Sequence, residues 1–207
     1  VTLRTDGNAS TSIFGTSKLT LQNTQGSGTF TIKNGASITW ENASSTRLFK
    51  FNTFTMEGST SLTHLANTAS HLYSFNFETA TSTIASGASI NLNGLGFTAG
   101  NGTGGSGNGA GHGGQGGSGG ASYGSVTKPI TLGSGGSELG GGAFYMKAAN
   151  TFTLDGTINV NANNGGNGGG AGGSVFIEAR TFAGSGTITA NGGTGAYGGG
   201  GGRISFF

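Results

Sequence analysis

Cysteine is absent from the 207 residues, proline occurs once, at Pro129, and formal charges are few: nine Lys or Arg and seven Asp or Glu. Without cysteine there is neither a disulfide framework nor a thiolate zinc site. A single proline excludes the collagen triple helix, although 47 residues are glycine. Disordered tails are rich in charge and poor in aromatics, whereas this chain has 14 Phe that need burial. No apolar run reaches the roughly 20 residues of a spanning helix. The formal net charge is +2 and the basic residues are scattered from Arg4 to Arg203, so nucleic-acid binding lacks electrostatic support. The two aspartates, Asp6 and Asp155, lie outside the glycine tracts, which excludes carboxylate-lined calcium repeats. No Gly-Lys dipeptide exists, hence no phosphate loop. The chain begins at Val1 without a visible signal peptide, the expectation for a processed product or a piece of something longer.

What is present reads as strand. Phe30-Thr31-Ile32, Ile38-Thr39-Trp40, Phe54-Thr55-Met56, Phe75-Asn76-Phe77 and Ile158-Asn159-Val160 alternate apolar with polar residues. That alternation buries one set of side chains and leaves Thr or Asn outside. A longer repeat underlies it. Apolar residues sit six apart around a small polar turn at Ile13–Leu19, Ile32–Ile38, Met56–Leu62, Ile84–Ile90, Phe152–Ile158 and Phe182–Ile188. Successive starts differ by 19, 24, 28, 68 and 30 residues; apart from the 68, these are coil lengths of a β-solenoid. An antiparallel sandwich explains the alternation but not the recurring frame.

The long gap holds a glycine tract with its own register. Read in triplets from Gly104 to Ala121, two slots carry ten Gly in twelve positions and include Gly104, Gly105, Gly113, Gly114, Gly116 and Gly117. The third slot carries Ser106, Gly109, His112, Gln115, Ser118 and Ala121, the expected solvent face. Three residues is the period of a polyproline-II-type helix, so the tract predicts a straight run of about 56 Å. Glycine on two of three faces lets such helices pack and bond to each other, as at Gly198 and Gly199 in the later run from Gly192 to Arg203. The expected fold is all-β: a right-handed parallel β-helix, with polyglycine-II-type helices packed on one flank of the C-terminal half. Residues 1–98 form coils and residues 99–207 continue them with glycine insertions, as one elongated unit.

The frame around Asn34-Gly35-Ala36-Ser37 resembles the coils of β-helical adhesins and autotransporter passengers. The Gly-Gly-X runs resemble the polyglycine-II bundles of phage tail-fibre adhesins and springtail antifreeze proteins. The composition favours Gly, Ser, Thr and Asn over Lys and Glu, the expectation for an extracellular or cell-surface protein, and the expected role is non-enzymatic, structural or adhesive.

Enzyme chemistry finds little footing. Gly116-Gly117-Ser118-Gly119-Gly120 matches a nucleophile elbow but lies inside a glycine tract rather than between a strand and a helix. Glu41, Glu57 and Glu78 fall in successive coils, where a carboxylate pair would have to form. His64, His71 and His112 lack metal-ligand spacing, and no cofactor or metal is expected. Trp40 reads as core, and Tyr73, Tyr123 and Tyr197 as exposed contacts. Glycosylation sequons occur at Asn8, Asn42 and Asn101. The expected partners are further copies joined head to tail through Val1, Leu3, Ile204, Phe206 and Phe207, or neighbouring domains of a longer chain; surface glycans are the alternative. A flat Thr/Asn face suited to ice is a third reading. Thr20, Thr31, Thr39 and Thr55 are its outward candidates, but they lack a regular Thr-x-Thr ladder.

Overall fold

The structure is a computed structural model that describes residues 28–41, 43–117 and 119–207, with the backbone alone of strands Thr2–Leu3, Thr11–Ile13 and Thr16–Leu21. The described residues are all-β and contain no helix. In chain order the strands are β1 (Thr2–Leu3), β2 (Thr11–Ile13), β3 (Thr16–Leu21), β4 (Thr29–Ile32), β5 (Ser37–Trp40), β6 (Phe49–Lys50), β7 (Thr53–Met56) and β8 (Ser61–His64). There follow β9 (Phe75–Ile84), β10 (Ser89–Asn91), β11 (Ala143–Leu154), β12 (Thr157–Asn159), β13 (Ser174–Ala183), β14 (Thr187–Thr189) and β15 (Arg203–Phe206). They form two sheets, β1-β3-β5-β8-β10-β12-β14 and β15-β13-β11-β9-β7-β4-β2, with β6 beside β9. Every pairing is parallel. Parallel neighbours need crossovers, and here the chain supplies them by alternating between the two sheets.

The larger sheet bends. In β9 burial alternates up to Thr79, then Ala80 and Thr81 both turn outward and alternation resumes in opposite phase. In β11 a bulge falls at the same level, between Ala148 and Thr151. Before the bend Lys50, Glu78, Lys147 and Glu178 share one register position on four adjacent strands, so opposite charges alternate, with Lys50 Nζ 3.4 Å from Glu78. Beyond it the strands turn tightly into the second sheet. Gly35 and Gly87 take positive φ in two of these turns, and Ser59 occupies the equivalent place in the third at φ 61°. Asn34 also has a positive φ, at 56°.

The six-residue frame holds at Ile32–Ile38, Met56–Leu62 and Ile84–Ile90, whose ends stack in register. It fails at three of the expected places. Leu154, not Phe152, lies opposite Ile84, because the Asp155-Gly156 turn is two residues shorter than the others; Phe182 follows Phe152. Leu19 lies opposite Trp40 instead of Ile38. The inward residues make one core. Trp40 is fully buried at its centre, as expected, with Phe49 at 4.5 Å and Phe77 at 5.5 Å between ring centroids.

The glycine segments recur at one place in the topology, where the chain passes from the smaller sheet to the larger, between β10 and β11, β12 and β13, and β14 and β15. Their backbone groups bond to one another. Gly169 and Gly172 donate to the carbonyls of Tyr197 and Gly200 at 2.9 and 3.0 Å. Gly170 and Gly173 donate to Asn163 and Val160 at 3.2 and 2.8 Å, and Ala171 donates to Ser134 at 2.9 Å. Five consecutive N–H groups thus point in three directions that recur every third residue. The expected straight run over 104–121 is not observed. Gly111 N–H bonds back to Gly104 and Gly116 N–H to Gly120, so the tract folds on itself, helped by the positive φ of Gly109 and Gly119. The expected solvent face fails at His112, which is fully buried.

Candidate assembly surface and site residues

The surface at β14 and β15 is apolar. Among the described residues these two strands each pair on one side only. Ile204 and Phe206 lie opposite Val175 and Ile177, which are buried core residues, so both face the core axis. Among the described residues no strand covers them, and they are exposed at 42% and 53%. Phe182 is 42% exposed for the same reason and meets Phe206 edge-to-face at 5.2 Å. Together with Leu154 and Ile188 they line a groove of about 400 Å³. Phe207, 84% exposed, closes the last backbone bonds, with its N–H on Ile177 and its carbonyl accepting from Ala179.

A side-chain ladder beside this surface has a direction. Asn93 Oδ1 accepts the N–H of Asn161, and Asn161 Oδ1 accepts the N–H of Asn191, both at 2.8 Å. Asn164 does the same for Thr194 at 2.8 Å and Asp155 for Ser185 at 3.0 Å. Each acceptor lies earlier in the chain than the N–H it receives, and the ladder reaches exposed Asn191. Leu3 lies in β1 opposite Leu21, and its side chain is outside the described residues, as is Val1.

Of the glycines expected to pack, Gly104, Gly105, Gly113, Gly116 and Gly199 are pressed against other backbones, where an added Cβ would fall well inside 3.0 Å of a carbonyl oxygen. Gly117 is tight, with Gly198 N at 3.1 Å. Gly114 and Gly198 are not packing positions, because a Cβ there would sit 3.7 and 4.0 Å from its nearest neighbour. The triplet register overcounts at these two.

The other candidates separate in space. Asn8 and Asn42 lie outside the described residues. Asn101 is half-buried and spends its Nδ2 on Ala99 O at 2.9 Å and Thr98 Oγ1 at 3.2 Å, so its amide is engaged in a turn. Glu57 is in an exposed turn after β7 while Glu78 sits in β9 beside Lys50, so those two do not converge. Among the described residues no three metal-ligating side chains cluster. Tyr197 is exposed at 44%. Tyr73 and Tyr123 are half-buried instead. The Tyr123 hydroxyl donates to Leu132 O and accepts from Ser134, and burial pushes its pKa up to about 12.

His112 is the feature that composition alone left unexplained. Its Nδ1 meets Gly172 O at 2.6 Å and its Nε2 meets Thr131 Oγ1 at 2.9 Å. It thereby ties the glycine tract to the segment before Leu132 and to the strand that starts at Ser174. Desolvation is the main cause that lowers its pKa to about 4, and nearby Arg203 acts in the same direction.

The threonines give the clearest departure from expectation. A regular Thr-x-Thr ladder does exist. Thr29, Thr53, Thr81, Thr151 and Thr181 form one file across five adjacent strands, and Thr31, Thr55, Thr83 and Thr153 form a second. Thr39 belongs to the other sheet, and the side chain of Thr20 lies outside the described residues. No protein-family model, curated protein or solved structure matches this chain.

Proposed function

We propose that the chain is a non-enzymatic structural module of an extracellular or cell-surface fibre or sheath, assembling head to tail with copies of itself or stacking within a longer chain. In this reading the fold is a right-handed parallel β-helix whose glycine segments are polyglycine-II-type helices packed on one flank. Strands that alternate between two all-parallel sheets support the coil. The three-direction bonding of residues 169–173 supports the glycine helices, since a three-residue turn aims successive N–H groups about a third of a turn apart. The absence of enzymatic and cofactor roles belongs to the same proposal, as does the extracellular location, which rests on a composition rich in Gly, Ser, Thr and Asn.

The observation that carries the reading is the apolar surface at β14 and β15. Core-facing Phe182, Ile204 and Phe206 are exposed beside these two strands, each of which pairs on one side only among the described residues. Such a surface suits a further coil, from a second copy or from a longer chain. The opposite edges, β1 and β2, run parallel to their neighbours just as β14 and β15 do. A copy displaced along the coil axis therefore meets them with the same strand direction in both sheets, a heterologous contact that does not close on itself. Light scattering and electron microscopy test this. The full chain should form elongated oligomers that grow with concentration. Phe206→Lys, which places an ammonium in the groove, should stay monomeric at an unchanged melting temperature. A full chain that is monomeric at every concentration overturns the assembly role.

A further inference from the structure

We infer that the Thr-x-Thr face is an ice-binding surface. The array comprises Thr29 and Thr31 on β4, Thr53 and Thr55 on β7, Thr81 and Thr83 on β9, and Thr151 and Thr153 on β11. The intervening residues Phe30, Phe54, Ser82 and Phe152 are buried, so all eight threonines point outward from one side of the sheet. Neighbouring strands stand about 4.8 Å apart and alternate residues about 6.6 Å apart. Hydroxyls and methyls therefore repeat on a nearly rectangular grid, close to the two oxygen repeats on a prism face of ice.

Threonine is common on exposed strand positions for conformational reasons alone. Three observations go beyond that. First, the grid is maintained where the chain changes length. The bulge at Ala149 and Asn150 restores register, so that Thr151 and Thr153 fall opposite Thr81 and Thr83. Second, none of the eight hydroxyls bonds to another described residue, whereas Thr60, Thr79 and Thr189 all find protein partners. Third, the grid carries no charge and no outward aromatic ring. A mineral or charged polymer would need the first, and a sugar chain would use the second for stacking. A rigid, uncharged lattice of hydroxyls with methyls between them offers ordered water both bonds and apolar contact. Because the sheet fixes the grid beforehand, little ordering entropy remains to oppose binding.

The proposal is independent of head-to-tail assembly. The test uses the full chain and three readouts: ice-crystal shaping, inhibition of ice recrystallisation, and thermal melting. The wild type should shape ice and suppress recrystallisation. Thr83→Lys, at the middle of the grid, should lose both while melting at the wild-type temperature. Thr63→Lys, outward on β8 of the other sheet, should retain both. A folded wild type with neither activity overturns the inference. So does equal loss in Thr63→Lys, which would make any effect one of charge rather than of the grid.

Discussion

The packing of the glycine segments makes a sharp prediction at Gly169. Its N–H donates to Tyr197 at 2.9 Å, and the next residue, Gly170, accepts from Gly193 at 2.8 Å. An added Cβ at Gly169 would overlap the carbonyl of Gly193 and lie 2.9 Å from Gly199 N. Both obstacles are backbone, which no rotamer change can move aside. The segments must separate by about an ångström, and overpacking of that kind costs about 1–3 kcal/mol. Separation also weakens the two hydrogen bonds named above, each worth about 1 kcal/mol. Gly169→Ala should therefore destabilise by about 3–5 kcal/mol, lowering Tm by roughly 6–20 °C for a chain of this size. Gly201→Ala is the control, since nothing lies within 4 Å of a Cβ there and its φ is not left-handed. It should be neutral or stabilise by up to about 1 kcal/mol through the unfolded state. Calorimetry on the two variants, with amide exchange at residues 169–173, reads the difference. Equal melting of the two variants, or fast exchange across those amides, would show that the segments are loose loops and would refute the packing argument.

Two further outcomes follow from single sites. Ser59→Gly should raise stability by about 1 kcal/mol in a denaturant titration, because Ser59 holds φ 61° where Gly35 and Gly87 occupy the equivalent turns. Acid should destabilise the fold between pH 6.5 and 4. His64 and His112 are both buried, with pKa values lowered to about 4, chiefly by desolvation. In the unfolded chain they titrate near 6.5, so below that pH the unfolded state binds more protons and stability falls. Each can remove up to about 3 kcal/mol once the pH is below 4, while neither matters above 7. A Tm flat from pH 7 to 4 would contradict this placement of the two imidazoles.

Much of the fold was legible because two signals are local. Alternation at Phe30-Thr31-Ile32 or Phe54-Thr55-Met56 states which side chains turn inward, whatever the partner strand. The 30-residue offset between Phe152 and Phe182, and between Ile158 and Ile188, appears directly as strand pairing. The glycine tract was read less well. A triplet register reports that glycine is needed on two faces but not where the chain reverses, and reversal needs only a positive φ that any glycine provides. Gly109 and Gly119 supply it, so the 104–121 run folds up and His112 turns inward. Its burial had no signal, because its partners Thr131 and Gly172 are 19 and 60 residues away.

The threonine grid shows why spacing misleads where parallel strands are joined by connections of unequal length. Thr31, Thr55, Thr83 and Thr153 are separated by 24, 28 and 70 residues, so no fixed period reveals them. What keeps them in file is compensation outside the face. The long connection between β10 and β11 returns to the larger sheet at Ala143, and a bulge of one extra residue then corrects the phase. Without the bulge, the pairing of Thr79 with Ala148 would continue and set Ala149 and Thr151 opposite Ala80 and Ser82, moving threonine off the outer face. Register at that level is also demanded by burial, since Phe152 and Leu154 need the core. One bulge thus serves both the inner and the outer surface. Deleting Asn150 alone removes the extra residue and leaves Ala149 opposite Ala80 and Thr151 opposite Thr81, so both surfaces keep their register, whereas deleting Ala149 and Asn150 together leaves β11 one residue short and sets Phe152 opposite outward Thr81 and Thr153 opposite buried Ser82. The first chain should keep its melting temperature and its ice activity, and the second should lose both; equal behaviour of the two would refute the register argument.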